Sequence, residues 1–135
     1  MKSVNIKGKE YITVNERLIY FRKQAVFKGW RIVEDLIDLN EKEGVFKVSI
    51  VDIDDNIIST AHAQEYRDSS YINKSSFLEN GFTSALGRAL GYLGIGIDTS
   101  IASAEELVNA LNSQSIQKKK NTNQFNQNQF KNVKF

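Results

Sequence analysis

The chain has no cysteine and a single histidine in 135 residues. Without cysteine there is no disulfide, no thiolate metal site and no cysteine nucleophile, and the composition fits a reducing compartment. His62 lies in the stretch IISTAHAQEY with no second imidazole or thiolate to complete a transition-metal site, so a plain sheet position accounts for it. No run approaches eighteen apolar residues, which leaves no segment for a membrane-spanning helix. The N-terminal MKSVNIKGKEY has neither the apolar core nor the cleavage site of a signal peptide. A cytoplasmic location is expected.

Acid is missing from one region in particular. The last 24 residues hold five lysines and no aspartate or glutamate, which leaves residues 1–111 with 13 basic against 16 acidic side chains, a net charge near −3. The body is mildly acidic and the tail basic, and that asymmetry says more than the overall charge of +2. Past Asn112 the composition turns to Asn, Gln, Ser and Lys, too polar to fold alone. Two regions are therefore expected: one folded domain over 1–111 and a disordered basic tail over 112–135. Phe125, Phe130 and Phe135 interrupt the tail at a spacing that matches neither a helix stripe nor a strand face.

Nucleotide and metal motifs are also lacking. Gly81 to Arg88 has glycines but no Gly-Lys-Ser/Thr ending. Gly91, Gly94 and Gly96 have the reverse spacing of a dinucleotide fingerprint. Asp52, Asp54 and Asn56 imitate the start of a calcium loop, but Ile57 stands where its glycine belongs and Ala63 where its last acidic ligand belongs. No nucleophile, base and orienting group can be assembled, so no cofactor, no metal and no enzymatic activity are expected.

What is present centres on Tyr71 to Asp98. Leu78, Phe82, Ala85, Leu86, Ala89, Leu90 and Leu93 recur at three- and four-residue intervals, the stripe of an amphipathic helix. Ser76 and Glu79 have the form of a capping box, which predicts a start near Phe77, and Gly94 and Gly96 predict an end near Leu93. Ser84, Gly87 and Gly91 share one side of this helix. Each interior glycine costs about 0.8–1 kcal/mol relative to alanine, and the expected compensation is close approach of another backbone, from the sheet or from a neighbouring protomer.

Upstream, residues 10–14 predict a short strand, with Asn15 capping a helix from Glu16 to about Lys23 whose apolar side is Leu18, Ile19 and Phe21. After Lys28-Gly29, WRIVEDLIDL suits a strand or a helix; the turn-like 41–44 and the β-rich GVFKVSIVDI that follow favour the strand. Asp54-Asp55-Asn56 turns the chain into IISTAHAQEY. The expected fold is α+β: an antiparallel β-meander covered by a long helix, a β-β-β-α core, with an N-terminal strand and helix and a short C-terminal helix capped by Ser103. The uncovered sheet face would present residues such as Lys47, Ser49, Thr60, His62 and Gln64.

The residue types left for function are cations and aromatics: Arg17, Tyr20, Arg22, Lys23, Lys28, Trp30, Arg31, Tyr66, Arg67, Tyr71, Lys74, Arg88 and Tyr92. Single-stranded nucleic acid uses this pairing, since cations track phosphates and aromatic faces stack bases. Arg17, Arg22, Lys23, Arg31, Tyr66, Arg67, Tyr71, Lys74 and Arg88 are the candidate DNA-binding residues, with Arg67, Lys74 and Arg88 nearest the strand-to-helix junction. A solvated face is the other reading of Arg17, Arg22 and Lys23.

YITVNERLIYFRK, then SYINKSSFLENGFTSALGRALGYLGIGID with SIASAEEL behind it, resemble small phage proteins of DNA recombination and single-stranded DNA binding, and the essential-recombination-function (Erf) group of single-strand annealing proteins. The similarity covers roughly residues 10–108. It implies a single-stranded DNA-binding protein of phage DNA replication or recombination, oligomeric and active in the host cytoplasm, with strand annealing and contacts to other recombination or replication proteins, and without metal or nucleotide. The chain is short for a full annealing protein. Two alternatives are an oligonucleotide-binding barrel and a phage adaptor that binds host proteins through its phenylalanine-bearing tail.

Overall fold

The computed structural model describes residues 1–69 and 71–131. The chain opens with an antiparallel hairpin, β1 (Ser3–Ile6) and β2 (Lys9–Ile12), where the sequence reading has one strand. Lys7 and Gly8, both at positive φ, form its two-residue turn, the geometry that matches strand twist in tight hairpins. Helix α1 (Val14–Lys23) follows, capped by the Thr13 hydroxyl, which accepts from the Glu16 N–H at 3.2 Å. Thr13 thus takes the position expected of Asn15, because the helix begins two residues earlier than its apolar pattern indicates.

The buried residues of α1 are Val14, Arg17 and Phe21, with Leu18 half-buried and Ile19 exposed. This is an ordinary helix stripe, at intervals of three and four, with an arginine in it, rotated away from the expected Leu18, Ile19 and Phe21 side. After a 3-10 turn (Ala25–Phe27), the rings of Phe21, Phe27 and Trp30 pack in series with centroids 5.1 and 5.0 Å apart.

The core sheet is the expected meander: β3 (Arg31–Leu39), β4 (Glu43–Val51) and β5 (Ile57–Tyr66), antiparallel and ordered β3-β4-β5. Phe46, Val48 and Ile50 of β4 are wholly buried and lie opposite Ala63, Ala61 and Ser59 of β5. Burying each of these large side chains contributes about 1.5–3 kcal/mol. Strand alternation sends Lys47, Ser49, Thr60, His62 and Gln64 to the other face, as expected. At the β4–β5 turn the Asp52 carboxylate accepts from the N–H groups of Asp54 and Asn56, each at 2.9 Å, which is what the calcium-like spacing serves.

Helix α2 (Tyr71–Tyr92) runs back across β4 and β5. It starts before the predicted Phe77, but Ser76 departs from helical geometry (φ −127, ψ 32), so the supposed capping residue marks a kink from which the second segment begins. A Cβ on Gly81 would stand 2.3 Å from the Phe46 ring. The helix lies on that ring, which Phe77 and Phe82 also meet edge-on with centroids 5.4 and 5.0 Å away. At the far end Gly94 (φ 91) donates to Gly91 O at 2.9 Å and Ile95 N to Leu90 O at 3.2 Å, a Schellman closure at the predicted place.

Helix α3 (Ala104–Lys131) carries the expected cap: Ser103 Oγ accepts from Glu106 N at 3.2 Å while the Glu106 carboxylate accepts from Ser103 N at 3.3 Å. Its helical backbone continues past Asn112, into the stretch that composition sets apart as a tail. The side chains of Phe125 and Phe130, and all of Phe135, lie outside the described residues.

Candidate nucleic-acid interface

Three pieces of chain meet where α2 begins. The first is the β3–β4 turn, built by Asn40: its side-chain oxygen accepts from the N–H groups of Lys42 and Glu43 at 2.8 and 2.9 Å, and its own N–H donates to Glu43 O at 2.9 Å. An asparagine closing a turn on its own backbone is the ordinary means of doing so. The second is Arg67, which leaves β5 with its backbone N–H donating to Lys42 O at 2.9 Å and its Nε donating to Asn40 O at 3.0 Å. The Arg67 guanidinium also lies over the Phe77 ring, 4.6 Å from the centroid, a cation–π contact that orients the charge. The third is the first turn of α2, where Lys74 is exposed and the helix dipole adds a partial positive charge. Lys42, Arg67 and Lys74 thus come from three segments to one end of the sheet.

A buried polar cluster fixes this junction from below. The Glu65 carboxylate, 2% exposed, accepts from Asn73 Nδ2 at 3.1 Å, Asn109 Nδ2 at 2.8 Å and Ser84 Oγ at 3.3 Å. Asn73 Nδ2 also donates to Tyr66 O at 3.0 Å. Burial raises the Glu65 carboxyl above the ordinary glutamate value, and the three donors oppose that shift. These bonds tie β5, α2 and α3 together beside the Arg67 turn.

The other sequence-predicted residues are distributed differently. Arg22, Lys23 and Arg31 are exposed at the opposite end of the sheet, roughly 26 Å away along a nine-residue strand. Arg22 Nη1 donates to Trp30 O at 2.9 Å, and Arg31 pairs with Asp55. Arg88, near the C-terminal end of α2, pairs with Glu106 at 2.9 Å, and its guanidinium is held more firmly charged than usual by the Tyr92 hydroxyl and by Glu106. Tyr66 is half-buried and lines a groove beside the junction. The side chain of Tyr71 lies outside the described set.

Arg17 has no surface to offer a ligand. It is 0% exposed, and its guanidinium donates to four backbone carbonyls: Gly87 at 2.7 Å, Ile101 at 2.8 Å, Ser100 at 3.0 Å and Gly96 at 3.1 Å. Burial lowers its pKa below the ordinary arginine value, opposed by the charges of Glu106 and Glu105. The glycine strip of α2 is the floor of this contact. A Cβ on Gly87 would lie 2.6 Å from Val14 Cγ2, and one on Gly91 would lie 2.9 Å from Arg17 Nη1. The close approach foreseen for the strip is therefore made inside the chain, by α1 and the segment before α3.

Lys42 is the cation that sequence reading omitted; its signal was the neighbouring Asn40, a turn former that places Lys42 at the tip of a hairpin. Among the described residues, no group of three His, Asp or Glu side chains is placed to hold a metal ion, and no helix is long and apolar enough to cross a membrane.

Residues 20–93, more than half of the chain, match the family described as Slr1353 N-terminal dsRNA-binding domain-like, and the chain belongs to that family. No curated protein and no solved structure matches it. The family match overturns the assignment to phage single-stranded DNA-binding proteins and the Erf annealing group. The matched segment contains the end of α1, the three-stranded meander and α2. The stretches that carried the resemblance lie largely on α1 and α2, and the β-β-β-α order they belong to is a topology, which alone fixes neither ancestry nor ligand.

Proposed function

We propose that this member of the Slr1353 N-terminal dsRNA-binding domain-like family binds duplex RNA, without catalysis, through Lys42, Arg67 and Lys74. The observation that carries the reading is the fixing of Arg67, bonded to Asn40 O and stacked on Phe77, next to the start of a long helix. An oriented guanidinium and exposed ammonium groups near a helix N-terminus suit phosphate oxygens. Duplex RNA is recognised mostly through shape and through phosphate and 2′-hydroxyl contacts, which requires positioned cations more than base-reading side chains. The exposed Arg22 and Lys23, roughly 26 Å distant, supply a second cationic patch within reach of the same duplex, with Arg31 beside them engaged by Asp55. The reading needs no second copy of the chain, since Val14, Arg17 and Ser103 already fill the glycine strip.

The test is fluorescence anisotropy with a labelled duplex RNA of about 20 base pairs, compared with duplex DNA and single-stranded RNA of the same sequence. Tighter binding to duplex RNA, weakened when the exposed Lys42 and Lys74 are replaced by alanine without a change in melting temperature and lost when Arg67 is replaced as well in a chain that still folds, supports the reading. Preference for single strands, or unchanged binding by the triple variant, rejects it.

A further inference from the structure

Building on the duplex-RNA reading, we propose that the groove beside the junction takes one unpaired nucleotide of the bound RNA, base inward. The groove is bounded by the β3–β4 turn, the β5–α2 junction and α3, and holds about 680 Å³, within the range of about 300–1,000 Å³ usual for small-ligand sites.

Tyr66 and Glu43 are half-buried and Ser69 is buried, whereas the rim carries both signs of charge, with Lys42, Lys120, Glu41 and Asp68 all exposed. Tyr66 offers an aromatic ring on which a base can stack. Glu43 offers a carboxylate, an acceptor with no donor of its own, held in place by Gln64 Nε2 at 2.8 Å. That combination suits guanine, whose N1–H and N2–H groups are adjacent donors for one carboxylate, and does not suit uracil, whose single N–H lies between two carbonyl oxygens. The two lysines come from different walls, the turn and α3, where the phosphates on either side of an extruded nucleotide would lie.

The walls are also fixed. Ser69 Oγ accepts from Asn73 Nδ2, and Ser113 Oγ, which lines the α3 side, donates to Asn109 O at 3.0 Å. Both partners belong to the Glu65 cluster, so the groove and the duplex-binding junction share one support. Sequence-specific recognition of RNA is concentrated on such unstacked nucleotides in loops, bulges and ends. The groove would add that discrimination to a junction that otherwise recognises shape.

The experiment compares a perfect duplex RNA with the same duplex carrying one bulged guanosine, using the full chain and its Tyr66→Ala and Lys120→Ala variants. The natural chain should bind the bulged duplex roughly tenfold more tightly, the scale of one base–aromatic stack. Tyr66→Ala should abolish that preference while leaving perfect-duplex affinity unchanged. Lys120→Ala, on an exposed position of α3, should reduce the preference without affecting the fold, and it decides the matter if Tyr66→Ala does not fold. No preference in the natural chain, with duplex binding intact, overturns the groove and leaves the duplex reading standing. A preference untouched by either substitution also overturns it. Failure to bind either RNA overturns the duplex reading and this inference together.

Discussion

Arg17 Nη1 donates to the carbonyl oxygen of Gly87 at 2.7 Å where α1 crosses α2. The same guanidinium reaches Gly96, Ser100 and Ile101, so a single side chain holds the end of α2 and the approach to α3. Hydrogen bonds from a charged group contribute more than neutral ones, and carbonyls left without a donor in the interior carry a desolvation cost. Replacing Arg17 with methionine should therefore destabilise the domain by about 2–4 kcal/mol, read as a fall in the urea midpoint at constant slope. Lysine, with no planar fork, should recover little of it. A variant as stable as the natural chain would show that the four carbonyls find water instead.

Gly81→Ala sets two effects against each other. Alanine gains about 1 kcal/mol of helix propensity over glycine. Its methyl, however, would stand 2.3 Å from the wholly buried Phe46 ring, and overpacking of that kind costs about 1–3 kcal/mol. Net destabilisation is expected, and Phe46→Leu in the same background should relieve part of it. A thermal melt of the natural chain and the two variants is sufficient; a Gly81→Ala chain more stable than the natural one would mean that α2 lifts off the ring freely.

Glu65 makes stability depend on pH. Because burial raises its carboxyl above the ordinary value, the native chain retains a proton that the unfolded chain has already lost just above the usual glutamate pKa. Stability from this group is therefore full below that pH and falls as pH rises through the native value. Melting temperatures across mildly acidic pH should show the decline, and Glu65→Gln should flatten it. A glutamine variant with an unaltered pH profile would assign the slope to other groups.

Lys74 and the distant cations should separate in a salt titration. If Lys74 meets a phosphate, Lys74→Ala should weaken duplex binding evenly across sequences and lower the slope of log affinity against log salt by about one. Arg88→Ala, whose charge is engaged by Glu106, should leave that slope unchanged and should instead loosen α3. Equal slopes for Lys74→Ala and the natural chain would remove Lys74 from the interface.

Local chemistry determined a good deal here. Alternation in Phe46, Val48 and Ile50, the stripe from Phe82 to Leu90, the Ser103 cap and the Gly94 closure are consequences of residue spacing, and each can be read from a few neighbours along the chain, although Leu78, in register with that stripe, is left 44% exposed. Long-range placement could not be read in that way. An arginine in the α1 stripe looks like a surface cation until four carbonyls, 70 to 84 residues away in sequence, replace its water. The glycines of α2 promised close approach, but only the folded chain decided that Phe46 faces Gly81 and that Val14 and Arg17 face Gly87 and Gly91. The cations Lys42, Arg67 and Lys74 become one patch because Asn40 turns the chain and Arg67 bonds to that turn. Charge at a single position follows from the residue type, whereas the sharing of a site by three segments follows from tertiary contacts that sequence spacing does not encode.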